Sequence, residues 1–256
     1  MHGINKFIGI VFSVVALNTL NSCQRSDRKP GICLSFDDRS IAGWYAMRDL
    51  LKQYHAKTTF FITQFDSLTP KEIEMLKELE SDGHEISSHG ALHVSSEKYI
   101  KEYSYSAYLA NEVERSLVSM GNAGFHPTAF AYPYGAKYWF TDLLITKKVK
   151  VTRGVAALEM NEKIENLDDI YYDFDGRRNF YALGIDTNSG FTRDMVVKAV
   201  KRARDSREVL FLYGHQPTSV YKSGYFFDVP FLKFILEQAR EKHLQFYTFS
   251  ELQKKT

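Results

Sequence analysis

Cysteine is almost absent from this chain. It has two in 256 residues, Cys23 and Cys33, too few for a disulfide framework. A bias of charge is missing as well: 33 Lys plus Arg stand against 31 Asp plus Glu, leaving +2, too balanced for a nucleic-acid groove or a polybasic membrane patch. No apolar run reaches the roughly 20 residues that a membrane-spanning helix needs. Neither a repeat of solenoid length nor a low-complexity tract occurs. What remains is a composition able to bury a core, with 44% hydrophobic and 25% charged residues, which excludes disorder. The 16 Tyr and 19 Phe are expected mostly inside, although exposed Tyr and Trp are the residue types that stack on sugar rings.

The N-terminus reads as an export signal. Lys6 precedes a short apolar run over 7–12 that continues through Val14, Val15, Ala16 and Leu17, the pattern of a secretory leader. The run ends in Leu20-Asn21-Ser22-Cys23, which resembles a bacterial lipobox whose Cys is lipidated after cleavage. The expected organisation is a lipoprotein-type signal peptide over 1–23, a polar linker over 24–30 and one domain over 31–256. The expected location is the cell envelope, periplasmic or outer-membrane associated, with membrane contact only through the lipid anchor. Cys33, inside an apolar run, is expected to be a small core residue.

Beyond the linker, strand-like and helix-like segments alternate. Runs rich in β-branched and aromatic residues fall at 32–36, 58–63, 85–88, 128–132, 149–155, 180–186, 209–213 and 245–249. Helical patterns fall at 44–54, 107–120, 193–204 and 231–242. The clearest helix begins at Thr69-Pro70-Lys71-Glu72, a capping box with proline in the first turn, and Gly83 is placed to end it. Such alternation predicts an α/β fold with a parallel sheet covered by helices, closed into a single barrel, with its chemistry on the loops after the strands.

Metal-type residues collect at those strand ends. The first strand ends in Asp37-Asp38, adjacent carboxylates that repel unless a cation or a shared proton relieves them. The third ends in His89, with His93 four residues on, close enough in a compact loop to grip one ion. With a strand-end Asp they make a three-ligand set that leaves positions open for water and substrate, the catalytic pattern rather than the structural one. His215 stands at another strand mouth. His84 reads as a structural histidine, and His126 and His243 as ordinary ones.

Taken together, these segments resemble the polysaccharide deacetylases of the NodB-homology type, carbohydrate esterase family 4. The resemblance runs from about Gly31 to the C-terminus. It rests on Ser35-Phe36-Asp37-Asp38, on Gly83-His84-Glu85-Ile86-Ser87-Ser88-His89 completed by His93, on Phe130-Ala131-Tyr132-Pro133-Tyr134-Gly135, and on Leu212-Tyr213-Gly214-His215. It implies a distorted (β/α)7 barrel. It also implies one divalent ion, Zn²⁺ by its one oxygen and two nitrogen ligands, held by Asp38, His89 and His93. Asp37 would be the general base, His215 the general acid, and the backbone N–H of Tyr134 an oxyanion donor. The substrate would be an acetylated polysaccharide or oligosaccharide, N- or O-linked, with no nucleic acid involved.

The departures from the family pattern carry their own expectations. Ala131 stands where many relatives have the Arg that orients the base, so Arg178, or failing that Arg177, is expected to reach Asp37. Asp186 is a candidate partner for His215. Tyr213 takes the neighbourhood of a pocket leucine and is expected to reshape the acetyl-methyl pocket. The competing reading is a catalytically weak glycan-binding protein that retains the metal site but has lost its Arg and Trp partners.

Overall fold

A computed structural model describes residues 29–159, 162–220 and 222–253. The signal segment 1–23 with Cys23, and residues 24–28 of the linker, lie outside the described residues.

Seven parallel strands close into a barrel: β1 (Gly31–Asp38), β2 (Thr59–Ile62), β3 (Glu85–Ser88), β4 (Ala129–Ala131), β5 (Val151–Ala156), then, after a short β6 (Tyr171–Tyr172), β7 (Asn179–Gly184) and β8 (Val209–Gly214). Pairing of β1 with β8, from Gly31↔Val209 to Phe36↔Gly214, completes the ring. This is the closed barrel expected from the alternation, in the (β/α)7 form that the resemblance implies. The strands read as continuous apolar runs because both faces are covered. Along β1, Ile32, Leu34 and Phe36 face the helices and join the outer core. Cys33 faces inward with Phe61, Phe180, Phe211 and Phe249. The Phe180 and Phe211 rings stack with centroids 4.6 Å apart, and Phe249 lies 5.4 Å from Phe211. These rings fill the lower barrel, each contributing about 1.5–3 kcal/mol by burial.

The ring is distorted at two seams. The edge of β1 away from β8 is shared by β11 (Gln245–Tyr247), paired at Gly31–Cys33, and by β2, paired at Ser35–Asp38. The 245–249 segment is thus a wedge at the barrel bottom rather than a barrel strand. The antiparallel β6 does the same between β7 and β8, against Val209 and Leu210. Two more strands, β9 (Gln216–Thr218) and β10 (Phe226–Asp228), form a small parallel pair above the barrel mouth.

Helix Pro70–Ser81 forms as its capping box predicts, with Thr69 and Glu72 exchanging both bonds. Two other helices differ from expectation. The 44–54 pattern is split at Met47 into Ile41–Ala46 and Arg48–Gln53. The 107–120 pattern is interrupted by a π-helical stretch, Leu109–Glu114, between Tyr105–Tyr108 and Arg115–Asn122. Wide turns of this kind gather at functional sites, and this one carries the fully buried Glu112.

Candidate metal centre and proton-transfer site

Alternation along β1 sends Asp37 into the barrel, where it is 2% exposed. Asp38 ends the strand with φ 84°, which turns its carboxylate up to the mouth. His89 follows β3 and is buried. His93 sits in a tight loop with φ 60°. Glu112 fixes that loop: its carboxylate accepts the N–H of Leu92 at 2.6 Å and of Val94 at 3.0 Å, and its carbonyl accepts that of Ala91 at 2.9 Å. Gly90 is required at the start of the loop, since a Cβ there would lie 2.1 Å from Glu112 Oε1 at a φ of +84°.

One ligand atom each from Asp38, His89 and His93 falls within 4.8 Å of the other two. Asp38 Oδ1 is 3.2 Å from His93 Nε2 and 3.6 Å from His89 Nε2, yet it is buried with no hydrogen-bond partner. A buried carboxylate oxygen left orphaned between two imidazole nitrogens is what a cation site requires, so the residues fit a divalent ion. His89 Nδ1 lies 2.9 Å from the Ala131 carbonyl. It donates there, which leaves Nε2 a free acceptor facing Asp38. Burial pushes the His89 pKa down to about 4, so the imidazole is neutral, as a ligand must be. Burial raises the Asp38 carboxyl, but contact with His93 and the fields of the other histidines prevail and hold it at about 2.

The expectation for the missing Arg requires correction. Arg178 donates to the carbonyls of Lys150 (2.5 Å), Thr146 (2.7 Å) and Val149 (2.8 Å), closing the turn before β5. Arg177 donates to the Tyr171 carbonyl and lies over the Tyr172 ring. Both precede β7 at the lower end of the barrel. Asp37 is instead paired with Arg153, a fully buried residue of β5. The Arg153 guanidinium is wedged over the rings of Tyr213, at 4.8 Å, and Phe61, at 5.4 Å. A signal for it existed in the sequence. Val151, Arg153 and Val155 share one face of a strand otherwise built for burial, and a charge there is costly unless paired.

Across the mouth, Asp186 lies just beyond β7 and His215 just beyond β8. His215 Nδ1 is 2.6 Å from Asp186 Oδ2, and the His215 N–H donates to Asp186 Oδ1 at 3.1 Å. The Trp44 indole donates to the His215 carbonyl at 2.7 Å, fixing the backbone as well. Burial opposes protonation of His215, but the Asp186 hydrogen bond and the charges of Asp37, Asp186 and Asp38 outweigh it and raise the pKa. Its ring lies between those of Tyr213, at 5.4 Å, and Tyr225, at 5.0 Å.

These residues enclose a cavity of about 360 Å³ lined by Asp37, Asp38, His89, His93, Tyr132, Tyr134, Gly135, Val155, Tyr213, His215 and Tyr225, a size suited to a small polar ligand group. Tyr134 adopts φ 61° on its wall, with its ring 4.8 Å from that of His93. Tyr213 lines the cavity, so an aromatic ring forms part of its wall. His84 lies outside the cavity. Its Nδ1 accepts the Thr58 N–H at 3.2 Å, and burial lowers its pKa to about 4, the structural role expected. Arg153, Glu112 and Tyr225 are the site residues that sequence reasoning missed.

The family model for polysaccharide deacetylases matches residues 24–153, just over half of the chain, and the chain belongs to that family. No curated protein sequence matches it. Among solved structures, it is similar to the chitin deacetylase of the fungal pathogen Colletotrichum lindemuthianum (TM-score 0.58, 13% identity, 90% of each chain covered). It is also similar to the carbohydrate esterase domain of a multidomain xylanase from the hindgut metagenome of Trinervitermes trinervoides (0.57, 18%, 88% of this chain and 89% of that one). A third is the peptidoglycan deacetylase PdaC of Bacillus subtilis (0.55, 18%, 88% and 90%). At these identities the likeness is one of fold.

Proposed function

We propose that the protein is a metal-dependent hydrolase that removes acetyl groups from an envelope polysaccharide. The observation that carries this reading is the meeting, in one cavity, of the Asp38–His89–His93 set with a buried carboxylate and an acidic-side histidine. Asp38, His89 and His93 would hold the ion, and Zn²⁺ suits their one oxygen and two nitrogen donors. When bound, such an ion acidifies a water and polarises the acetyl carbonyl. Asp37 takes the proton of the attacking water at a carboxylate oxygen, its rotation blocked by Arg153. His215 presents Nε2 to the leaving nitrogen or oxygen and protonates it, while Asp186 holds Nδ1 and stabilises the imidazolium. The backbone N–H of Tyr134 stabilises charge developing on the carbonyl oxygen. No side chain acts as nucleophile.

The alternative, a weak glycan-binding protein that has lost its base-orienting Arg, is less well supported. Arg153 supplies the guanidinium from another strand, and a binding module has no use for an Asp37–Arg153 and an Asp186–His215 pair. We further propose that the domain is exported and tethered through lipid on Cys23, which mass measurement of the N-terminal peptide tests. The activity is tested by acetate release from a panel of N- and O-acetylated oligosaccharides and an aryl acetate. Release is expected with Zn²⁺ and is expected to be abolished by a chelator. Chelator-insensitive release, or none from any substrate, refutes the reading.

A further inference from the structure

The β9–β10 pair places one aromatic ring that the chemistry above does not use. Tyr225, next to β10, is 63% exposed, yet it lines the cavity and sets its ring 5.0 Å from that of His215 at an interplanar angle of 69°. A Tyr ring exposed at a cavity mouth offers a flat apolar face with a polar tip, the kind of surface that packs against a partly polar ligand. The segment carrying it is anchored. Thr187 Oγ1 donates to the Lys222 carbonyl (2.7 Å), the Thr187 N–H donates to the Phe226 carbonyl (2.8 Å), and the Tyr225 carbonyl accepts the Gln216 N–H at 3.3 Å. Gly224, at φ 113°, supplies the turn that lifts the ring over His215. A ring held this way loses little entropy when a ligand stacks on it.

His215 fixes which part of a substrate lies beneath that ring. The group it protonates belongs to the sugar, whereas the acetyl carbonyl faces the metal ligands. A ring beside His215 therefore lies on the sugar side of the bond being cleaved. We propose that Tyr225 is a stacking platform for the pyranose ring that bears the leaving nitrogen or oxygen, and that it makes the site selective for acetylated carbohydrate. This rests on the deacetylase reading and adds a specificity residue to it. A purely structural role has different consequences: if Tyr225 served only to keep water from His215, its loss would act on turnover and on the alkaline pH limb.

The test uses the metal-loaded protein and an N-acetylglucosamine tetramer. Tyr225→Ala is expected to raise KM about fivefold to tenfold, the worth of one ring contact, with kcat within about twofold and the pH profile unmoved. Tyr225→Phe, which keeps the ring, is expected to stay within about twofold of the wild type. Equal losses in both variants, a loss confined to kcat with a shifted alkaline limb, or no change in Tyr225→Ala overturns the proposal. If the wild type releases no acetate, the deacetylase reading fails on its own. Calorimetric titration of the same tetramer then decides the platform: weaker binding to Tyr225→Ala sustains it, and equal binding or none to the wild type overturns it.

Discussion

The two halves of the barrel mouth are assembled by different means. The half with the candidate metal ligands, the metal half of the reading proposed above, takes Asp38 from the end of β1 and His89 and His93 from one stretch after β3, braced by a single buried carboxylate, Glu112. The proton-handling half draws on four strands: Asp37 from β1, Arg153 from β5, Asp186 after β7 and His215 after β8. One half takes two of its three ligands from a single short stretch, and the other exists only once the barrel closes. The family match, which ends at residue 153, covers the whole metal half and stops short of Asp186 and His215. The difference predicts that damage to the metal half acts through occupancy, whereas damage to the other half acts through rate at full occupancy.

The largest effect belongs to a ligand. His89→Ala leaves two donors, too few to compete with water, and is expected to lower both metal content and acetate release to those of chelated wild type. Full occupancy in that variant, by elemental analysis, would remove the triad assignment.

Next come the base and its clamp. Asp37→Asn is expected to retain the metal and to lose about 10²–10⁴ in rate, the usual worth of a placed proton acceptor. Arg153→Met is expected to lose rate as well. Because it leaves a buried carboxylate unpaired, it also costs about 3–5 kcal/mol of stability by urea unfolding. Metal loss in Asp37→Asn would make that residue a ligand and erase the division between the halves. A stable Arg153→Met with wild-type kinetics would show that the pair holds nothing.

The same division explains what was legible in the sequence. Strand runs and caps located the barrel, because burial on both faces writes itself as apolar runs and Thr69 with Glu72 writes a helix start. Asp38, His89 and His93 were readable because each follows an apolar strand run and the two histidines stand four residues apart. Arg153 was legible only as a costly charge on an apolar strand, since its partner is 116 residues away and only barrel register brings β5 opposite β1; Arg178, near a strand start, was the wrong choice for the same reason. Glu112 was hidden inside an amphipathic helix pattern, its inward turn arising from a π-helical stretch that periodicity does not announce. The wedge strand β11 was unreadable as a wedge, because it differs from barrel strands in what it pairs with rather than in composition, and β6, only two residues long, leaves no run to read.

Glu112 gives an intermediate effect on the metal side. Glu112→Gln keeps the shape but turns one of two acceptors into a donor facing a backbone N–H, which loosens the loop carrying His93. Supporting groups of this kind are worth about 10–100-fold in metal affinity, and a competition titration with a chromophoric chelator is expected to show a loss in that range. At saturating metal, kcat is expected to approach that of the wild type. A kcat that stays low at full occupancy would mean that Glu112 serves the chemistry directly.

The smallest effect concerns Asp186, and it is one of pH. His215 is raised above its ordinary value chiefly because the Asp186 hydrogen bond, together with the carboxylates of Asp37 and Asp38, overcomes the burial that opposes its charge. Replacing Asp186 by Asn keeps an oxygen near Nδ1 but removes the charge, so the His215 pKa falls and the protonated acid is lost at a lower pH. The alkaline limb of kcat/KM therefore moves to lower pH, and near neutrality the rate drops by about tenfold for each unit that the limb moves past the assay pH. The same shift has a stability signature. A histidine whose folded pKa lies above its unfolded value, about 6.5, contributes stability that is fully present below that value and is lost as pH rises through the folded pKa. In the wild type, urea midpoints are therefore expected to fall across that window. In Asp186→Asn this decline is expected to flatten, with metal content unchanged. An alkaline limb that does not move in Asp186→Asn would show that His215 is not the acid and that the proton-handling half must be redrawn around another group in the cavity.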